Sequence, residues 1–488
     1  VTLPDDSVWT YTYDVLGRLT RLDDAKAGRE TRAAVWTYRD DGRLTRRDVL
    51  VDDDPIAYTL YEYDTLARLA RLRNYHWDGA NFTLLSDFTD LTYDPLGRLL
   101  GFAPNYTNAF LGAYGGTQSF AYDGLDQVTL DQLATGDPET AHQFSFTYDA
   151  AGNPTTFKGT PHTYNENNQL ADAGYAYSAS GNPTLYHGVA CTYTPDDLLT
   201  SYGDQATFAY RGDGLRAWKE SVIHGRTYYV YDGDTLVAEL YPNGAVQAVH
   251  VWGADGLISR GDVFYLYDPL GNVAHRLNPD GTVRAHAVYD AWGTCLASLA
   301  PDGAPYAAGT DPYGYKGQFG YFTDRETGLI LCTHRYYDPQ IGRWVTRDPI
   351  GYKGGINLYA YCDNNSVGMI DNTGLQATQP TIIDITREFI NRLTPAQIAQ
   401  LSQLLRVAWM TYTIGNMTIR GSIAIYELTN GIRLKQEANE FEERMLSYYQ
   451  QKYPEDGLVR YYEWRKIVRP HEEADELITS GIQHFIQA

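Results

Sequence analysis

The stretch Tyr11-Thr-Tyr-Asp-Val-Leu-Gly-Arg-Leu19 carries the pattern that decides the fold of this chain. Alternation of an aromatic residue, any residue and tyrosine places two rings on one face of a strand. The aspartate that follows can hydrogen-bond to its own backbone and start a turn, and the glycine supplies the positive φ that the turn needs. The stretch therefore predicts a β-hairpin.

The same unit recurs along most of the chain at intervals of roughly 20 to 30 residues, a range typical of repeat arrays. Its copies include Trp36-Thr-Tyr38, Tyr61-Glu-Tyr63-Asp64, Tyr93-Asp94, Phe120-Ala-Tyr122-Asp123, Phe146-Thr-Tyr148-Asp149, Tyr175-Ala-Tyr177, Tyr265-Leu-Tyr267-Asp268 and Tyr289-Asp290. One hairpin cannot bury its aromatic face alone, whereas stacked hairpins can. We expect one long, strongly twisted antiparallel sheet, in which the repeated tyrosines and aspartates serve packing and turn formation.

The composition agrees with a β-rich array and excludes several classes of protein. The 488 residues include 45 glycines and 42 tyrosines, which favours turns and half-buried strands. The net charge is −22, and an acidic array repels nucleic acid and anionic membranes. No apolar run is long enough to cross a bilayer, and the four cysteines lack the spacing of a zinc site or a disulfide framework. We therefore expect no metal, no cofactor and no membrane span.

A second informative stretch, Arg335-Tyr-Tyr-Asp-Pro-Gln-Ile-Gly-Arg-Trp-Val-Thr-Arg-Asp348-Pro-Ile-Gly351, separates this array from a glycine-poor, helical segment. It is closed by Asp371-Asn-Thr-Gly-Leu375, so that two aspartates 23 positions apart each begin a turn-like tetrapeptide. Two carboxyls held close together cannot both ionise, which is the arrangement of an aspartic protease. Such a pair titrates as a unit, so neither aspartate is assigned as the base. The alternative is that both only cap turns.

The repeat units and the block from Gly328 to Leu375 resemble the YD-repeat, or RHS (rearrangement hot spot), family and its RHS-associated core. That core ends the conserved part of bacterial polymorphic toxins and of the C component of insecticidal ABC toxins. The resemblance implies a mainly β protein whose YD-repeat sheet winds into a hollow cocoon. In that family the core plugs one end of the cocoon, and a carboxy-terminal toxin lies inside.

The same resemblance implies self-cleavage. The family cuts after a Gly-Leu such as Gly374-Leu375, which makes Leu375–Gln376 the expected scissile bond, with Asp348 and Asp371 as catalytic residues. Arg335 matches an arginine of the family core and is expected to orient the two carboxyls. The chain departs from the family where Ser366 and Asn372 replace prolines, and the second replacement is expected to loosen the turn that holds Asp371.

The expected domains are a repeat shell (1–318), the core with the cleavage site (319–375) and a small α-rich effector domain (376–488). In the effector domain, His471, Glu472 and Glu473 are candidates for an acid/base or metal cluster, although a proline followed by acidic residues is also what a helix start requires. The domain has no cysteine and no Gly-rich phosphate loop. A nuclease is the expectation by family analogy alone.

The leading hypothesis is therefore a self-processing toxin that is secreted or surface-displayed and delivered into target cells. Its expected partners are its own encapsulated effector, a secretion apparatus or toxin-complex component, and a cognate immunity protein. Nucleic acid enters only as the effector's target. Because the chain begins at Val1 inside a repeat-like unit, we expect any targeting region to lie upstream. The alternatives are a cell-surface glycan-binding or adhesion protein without processing, and a degenerate remnant with an inactive tail.

Overall fold

The computed structural model describes residues 5–307, 309 and 311–379. The predicted helices of the effector domain and its candidate residues His471, Glu472 and Glu473 lie outside these residues. Strands dominate the described part, and every strand pairing in it is antiparallel. The prediction of a mainly β fold is confirmed.

The first long sheet has 13 strands that follow one another in chain order. They are β1 (Val8–Tyr13), β2 (Leu19–Ala25), β3 (Arg32–Tyr38), β4 (Leu44–Val51), β5 (Asp54–Tyr63), β6 (Leu69–Trp77), β7 (Phe82–Tyr93), β8 (Leu99–Tyr106), β9 (Gly116–Tyr122), β10 (Val128–Thr135), β11 (His142–Tyr148), β12 (Pro154–Phe157) and β13 (Thr160–Pro161). A 3₁₀ turn, Leu111–Tyr114, lies between β8 and β9.

The second long sheet has 14 strands, again in chain order. They are β14 (Ala176–Tyr177), β15 (Pro183–Tyr186), β16 (Val189–Tyr193), β17 (Leu199–Tyr202), β18 (Ala206–Tyr210), β19 (Arg216–Ser221), β20 (Gly225–Asp232), β21 (Thr235–Leu240), β22 (Val246–Gly253), β23 (Gly256–Arg260), β24 (Val263–Tyr267), β25 (Val273–Leu277), β26 (Val283–Tyr289) and β27 (Cys295–Leu299).

The expectation of one continuous sheet is wrong, because pairing is interrupted between β13 and β14. The strands on either side of the break are only two residues long, and β13 ends at Pro161, which has no N–H to offer a ladder. Between them, Tyr164 and Leu170 form a single isolated bridge. The repeat array is therefore two long sheets.

A third sheet of four short strands follows, in residues 319–375, which we call the core segment. Its strands are β28 (Phe322–Asp324), β29 (Leu329–Cys332), β30 (Arg335–Asp338) and β31 (Arg343–Trp344), and 3₁₀ turns occupy Gly317–Phe319, Gly351–Gly354 and Cys362–Asn364.

The YD unit folds as its residues predict. Oδ1 of Asp64 accepts hydrogen bonds from the backbone N–H groups of Leu66 and Arg68, both at 2.9 Å, and so closes the turn between β5 and β6. The hydroxyl of the repeat tyrosine has a use that the sequence does not indicate. Tyr93 Oη donates to the carbonyl of Leu69 at 2.8 Å. Leu69 is the first residue of β6, the second strand of the preceding hairpin.

That second contact repeats in register along the array. Equivalent bonds of 2.6 to 2.9 Å join Tyr63 to Leu44, Tyr122 to Leu99, Tyr148 to Val128, Tyr164 to Pro154 and Tyr210 to Leu199. Each of these tyrosines therefore joins its hairpin to the preceding one by a hydrogen bond.

The core segment is buried on both faces. Along β29, Leu329 and Leu331 belong to an apolar cluster formed largely by the second long sheet, which includes Phe208 and Tyr229. The alternate residues Ile330 and Cys332 belong to a separate cluster with Phe120 and Phe146 of the first long sheet. Because side chains alternate along a strand, one short strand contacts residues of both long sheets.

Candidate cleavage site

Three separate parts of the core segment bring the predicted residues together. Arg335 begins β30, Asp348 follows β31 in a turn that leads to a 3₁₀ turn, and Asp371 opens the last turn before Leu375. All three side chains are buried.

The guanidinium of Arg335 lies at the centre of this group. Its Nη2 is 2.9 Å from Oδ2 of Asp348 and 3.4 Å from Oδ2 of Asp371, so both carboxyls meet on one nitrogen. Its Nε donates to the carbonyl oxygen of Gly374. Its Cζ lies 4.2 Å from the ring centroid of Trp344, which holds the guanidinium plane by a cation–π contact.

Each aspartate uses its two oxygens differently. Oδ1 of Asp348 accepts the N–H of Ile350 at 3.0 Å and caps its turn, while Oδ2 faces Arg335. Oδ1 of Asp371 likewise closes a turn by accepting the N–H of Gly374 at 2.9 Å. Turn capping and pairing on the arginine therefore coexist in both residues.

The expected scissile bond lies directly beside the two carboxyls. Oδ1 of Asp371 also accepts the N–H groups of Leu375 at 3.1 Å and Gln376 at 3.3 Å, and the latter is the amide of that bond. On the other side, a Cβ built on Gly354 would overlap Oδ2 of Asp348 and would lie 3.3 Å from the carbonyl oxygen of Leu375. Oδ2 of Asp348 and the carbonyl oxygen of Leu375 therefore both lie close to Gly354.

The residues on either side of the bond are held to the core segment. Ile370 and Thr378 exchange backbone hydrogen bonds of 2.8 and 2.7 Å, so the chain turns back on itself around residues 371–377. Gly374 has a φ of +71°, and a Cβ there would lie 2.5 Å from the carbonyl oxygen of Cys332. The glycine of the Gly374-Leu375 pair is therefore required by both backbone conformation and space.

Burial dominates the electrostatics of the site. It raises the pKa of Asp348, and the charge of Asp371 raises it further, whereas Arg335 opposes the shift. Burial also raises the pKa of Asp371, against Arg335 and the turn hydrogen bonds, which lower it. The pKa of Arg335 is lowered, again chiefly by burial. The pair therefore retains a proton to a higher pH than ordinary aspartates do.

Several contacting residues lie beyond the predicted set. Tyr321 Oη accepts the N–H of Asp371 at 2.7 Å, and Thr333 Oγ1 donates to the carbonyl of Asn372 at 2.8 Å. The backbone N–H of His334 donates to the carbonyl of Thr373 at 3.1 Å. These residues carry no motif of their own, because a buried tyrosine or a turn threonine has the same sequence signature in any β protein.

Within the described part of the chain, no group of three or more His, Cys, Asp or Glu side chains could hold a metal ion. No helix among the described residues is long and apolar enough to cross a membrane. Cys191, Cys332 and Cys362 are buried, whereas Cys295 is exposed.

Stacked YD hairpins with a buried core segment define a YD-repeat shell protein, and comparison with known families agrees. Residues 119–367 match the teneurin YD-shell family, and residues 1–29 match the RHS repeat. The first match covers half of the chain, and the chain belongs to the teneurin YD-shell family.

Its relatives are much longer proteins. Double-stranded DNA deaminase toxin A of Burkholderia cenocepacia is 28% identical over 371 residues, which are 75% of this chain and 22% of that protein. Toxin protein Tse5 of Pseudomonas aeruginosa is 36% identical over 112 residues, or 23% of this chain and 8% of that protein. The chain thus spans less than a quarter of the length of these relatives.

A solved structure shows the same fold. The crystal structure of TcdB2–TccC3 without its hypervariable C-terminal region matches with a TM-score of 0.60 at 20% sequence identity, covering 76% of this chain and 20% of that one.

Proposed function

We propose that this chain is a self-processing polymorphic toxin, which cuts its own backbone between Leu375 and Gln376 and thereby frees residues 376–488 as an effector. Asp348 and Asp371 are the catalytic residues of this reaction, and Arg335 holds them together. Family membership supports the general class, since relatives include a deaminase toxin, a tRNA nuclease and Tse5.

One observation carries the proposal. The carboxyl of Asp371 accepts the N–H of Gln376, while the carboxyl of Asp348 and the carbonyl oxygen of Leu375 both lie close to Gly354. The nitrogen of this peptide bond therefore contacts one carboxyl, and its carbonyl oxygen lies near the other. A turn-capping role for the aspartates accounts for their Oδ1 contacts within each turn but gives no reason for both to converge on Arg335.

This asymmetry supports the following proton transfers. Asp371, ionised, takes a proton from a water molecule whose oxygen attacks the carbonyl carbon of Leu375, and Asp348, protonated, donates a hydrogen bond to the carbonyl oxygen. The proton on Asp371 then passes to the nitrogen of Gln376 as the C–N bond breaks. The products are a carboxyl group on Leu375 and an amino group on Gln376, and water is the only co-reactant.

The protonation states follow from the environment of the pair. One carboxyl must be neutral and the other ionised, and burial together with mutual repulsion keeps a proton in the site, while Arg335 stabilises the remaining negative charge. The cleavage rate should be bell-shaped in pH. It falls as pH drops and the base protonates, and it falls again as pH rises through the raised upper pKa and the acid is lost.

The wider biology rests on the relatives. We propose that the YD-repeat sheets enclose the effector as a hollow cocoon, that a secretion apparatus or toxin-complex component delivers the protein from outside the producing cell, and that an immunity protein guards the producer. Nucleic acid is the proposed target of the effector, by analogy with the deaminase toxin and the tRNA nuclease. A nuclease is favoured over a zinc deaminase because residues 376–488 contain no cysteine.

The alternative of a glycan-binding surface finds less support. Glycan binding needs rows of tyrosines whose rings and hydroxyls are free. The hydroxyls of the repeat tyrosines Tyr63, Tyr93 and Tyr122 instead donate hydrogen bonds to strand carbonyls. Their role is to join hairpins.

Substitution of either aspartate tests the proposal. The wild-type chain should run on a denaturing gel as fragments of 375 and 113 residues, whereas Asp348→Asn and Asp371→Asn should each leave the 488-residue chain intact. Asn keeps the size and the turn-capping oxygen but cannot act as acid or base. Asp363→Asn is the matched control, since Asp363 is an exposed aspartate of the same core segment. Persistent cleavage in both Asp348→Asn and Asp371→Asn would rule the assignment out.

A further inference from the structure

Tyr321 is joined to Asp371 through the backbone and to a second buried phenol through its hydroxyl. Its Oη accepts the N–H of Asp371 at 2.7 Å and lies 2.9 Å from Oη of Tyr361. Both tyrosines have 0% relative exposure, and their ring centroids are 6.4 Å apart. Because the Asp371 N–H donates to it, the Tyr321 oxygen can direct its own proton to Tyr361.

We propose that Tyr321 is a positioning residue of the cleavage site: its phenol, fixed by Tyr361, holds the backbone of Asp371 so that the carboxyl reaches the amide of Gln376. This inference rests on the proposed function and names a residue for it that no sequence motif marks. Tyr321 touches neither the scissile bond nor a reacting atom, and it acts through Asp371.

The need for such a residue follows from the sequence at position 372. Asn372 follows Asp371 directly, and its φ is not fixed by a ring as that of a proline would be. The backbone on both sides is instead held by side chains. Lys316 Nζ donates to the carbonyl of Met369, Tyr321 accepts from Asp371, and Thr333 Oγ1 donates to the carbonyl of Asn372.

Among these contacts, the one from Tyr321 is made to the catalytic residue itself. Asp371 Oδ1 contacts the N–H groups of Gly374, Leu375 and Gln376 over 2.9 to 3.3 Å, so a small rotation of the residue would lose the weakest contact first. That contact is the one to the scissile amide. Loss of the phenol would leave the Asp371 N–H buried without an acceptor, and the turn would shift to relieve it.

The test is the rate of cleavage in Tyr321→Phe, with Tyr337→Phe as the matched control. Tyr337 is equally buried, its ring centroid lies 4.0 Å from that of Tyr361, and its hydroxyl donates to the carbonyl of Trp292 at 2.7 Å. Both full-length chains are pulse-labelled during cell-free synthesis, and the intact fraction is followed during the chase. We expect Tyr321→Phe to cleave about tenfold to a hundredfold more slowly than wild type, and Tyr337→Phe to match wild type.

A pH profile separates positioning from simple loss of stability. The turn hydrogen bonds lower the pKa of Asp371, so displacing its carboxyl from them raises that pKa. The acidic limb of the rate profile should therefore move to higher pH in Tyr321→Phe and stay in place in Tyr337→Phe. A variant that is merely less stable would lower the rate without moving this limb.

The outcomes distinguish this inference from the proposed function. If wild type cleaves and Tyr321→Phe cleaves at the same rate with the same acidic limb, the positioning role is wrong while the aspartate assignment stands. If Tyr337→Phe slows as much as Tyr321→Phe, the effect is general packing and the inference is also wrong. Should Tyr321→Phe fail to fold, Tyr361→Phe decides. Tyr361→Phe removes the hydroxyl that pairs with Tyr321 Oη, so it should slow cleavage and move the acidic limb to higher pH. A wild-type rate and pH profile in Tyr361→Phe would overturn the inference.

Discussion

At the scale of single residues, the candidate site depends on how closely the chain packs around Leu375. Gly374 approaches the turn between β29 and β30, and Arg335 both contacts the carbonyl of Gly374 and pairs with the two carboxyls. The position of the proposed scissile bond is thus set by the same arginine that pairs with both carboxyls. A residue that pushed Gly374 outward would separate the Leu375–Gln376 bond from Asp348 and Asp371.

Gly374→Ala should therefore abolish cleavage or slow it at least a hundredfold. A Cβ at this position would lie 2.5 Å from the carbonyl oxygen of Cys332 and 2.9 Å from the backbone nitrogen of Arg335, contacts that backbone atoms can relieve only by moving apart. The intact fraction in pulse-labelled synthesis measures the effect.

Gly351→Ala provides the control, because Gly351 has a similar φ of +64° but a Cβ added there would meet no heavy atom within 4 Å. It carries the cost of a left-handed alanine, about 1 kcal/mol, without a clash. We expect it to cleave. Equal loss of cleavage in both variants would mean that backbone strain, rather than the close approach at Gly374, governs the site.

At the scale of elements, the repeating unit is a hairpin together with the hydrogen bond that joins it to the previous hairpin. The aspartate closes the turn locally, while the tyrosine hydroxyl bonds to a strand carbonyl of the preceding unit, as Tyr93 does to Leu69, 24 residues earlier. Arg68 adds a contact, with its Cζ 4.6 Å from the Tyr93 ring centroid. The array is therefore stabilised between neighbouring units as well as within each one.

Tyr93→Phe should lower stability by about 1 kcal/mol, since it removes one hydrogen bond and leaves the Leu69 carbonyl without that donor. For a chain of this size we expect the thermal midpoint to fall by about 1–2 °C. Tyr352→Phe is the control, because Tyr352 is 79% exposed and the same change there should leave the midpoint in place. An unchanged midpoint in Tyr93→Phe would show that the hydroxyl does not contribute to joining hairpins.

The sequence predicts the contacts within a hairpin better than the hydrogen bond between hairpins. Asp64 and the alternating aromatics predict strand, turn and strand, because these depend on neighbouring residues. The partner of the tyrosine hydroxyl lies in another unit and has no local signature. The break between β13 and β14 escapes prediction for a related reason, because copies such as Tyr175-Ala-Tyr177 keep the motif while their strands shorten to two residues.

At the scale of the whole molecule, the core segment contacts residues of both long sheets, so the candidate site depends on the fold of the array. Asp348 and Asp371 are predicted from their turns and the family resemblance, and Arg335 from the resemblance alone. Tyr321 could not be predicted from the sequence, because nothing around it differs from the surroundings of any buried core tyrosine.

The intact mass of the purified wild-type protein is the most direct test of cleavage after Leu375. We expect two species, with Leu375 at the new carboxy terminus of one and Gln376 at the new amino terminus of the other. A single species of 54.9 kDa from correctly folded protein, or a cut at another bond, would contradict it.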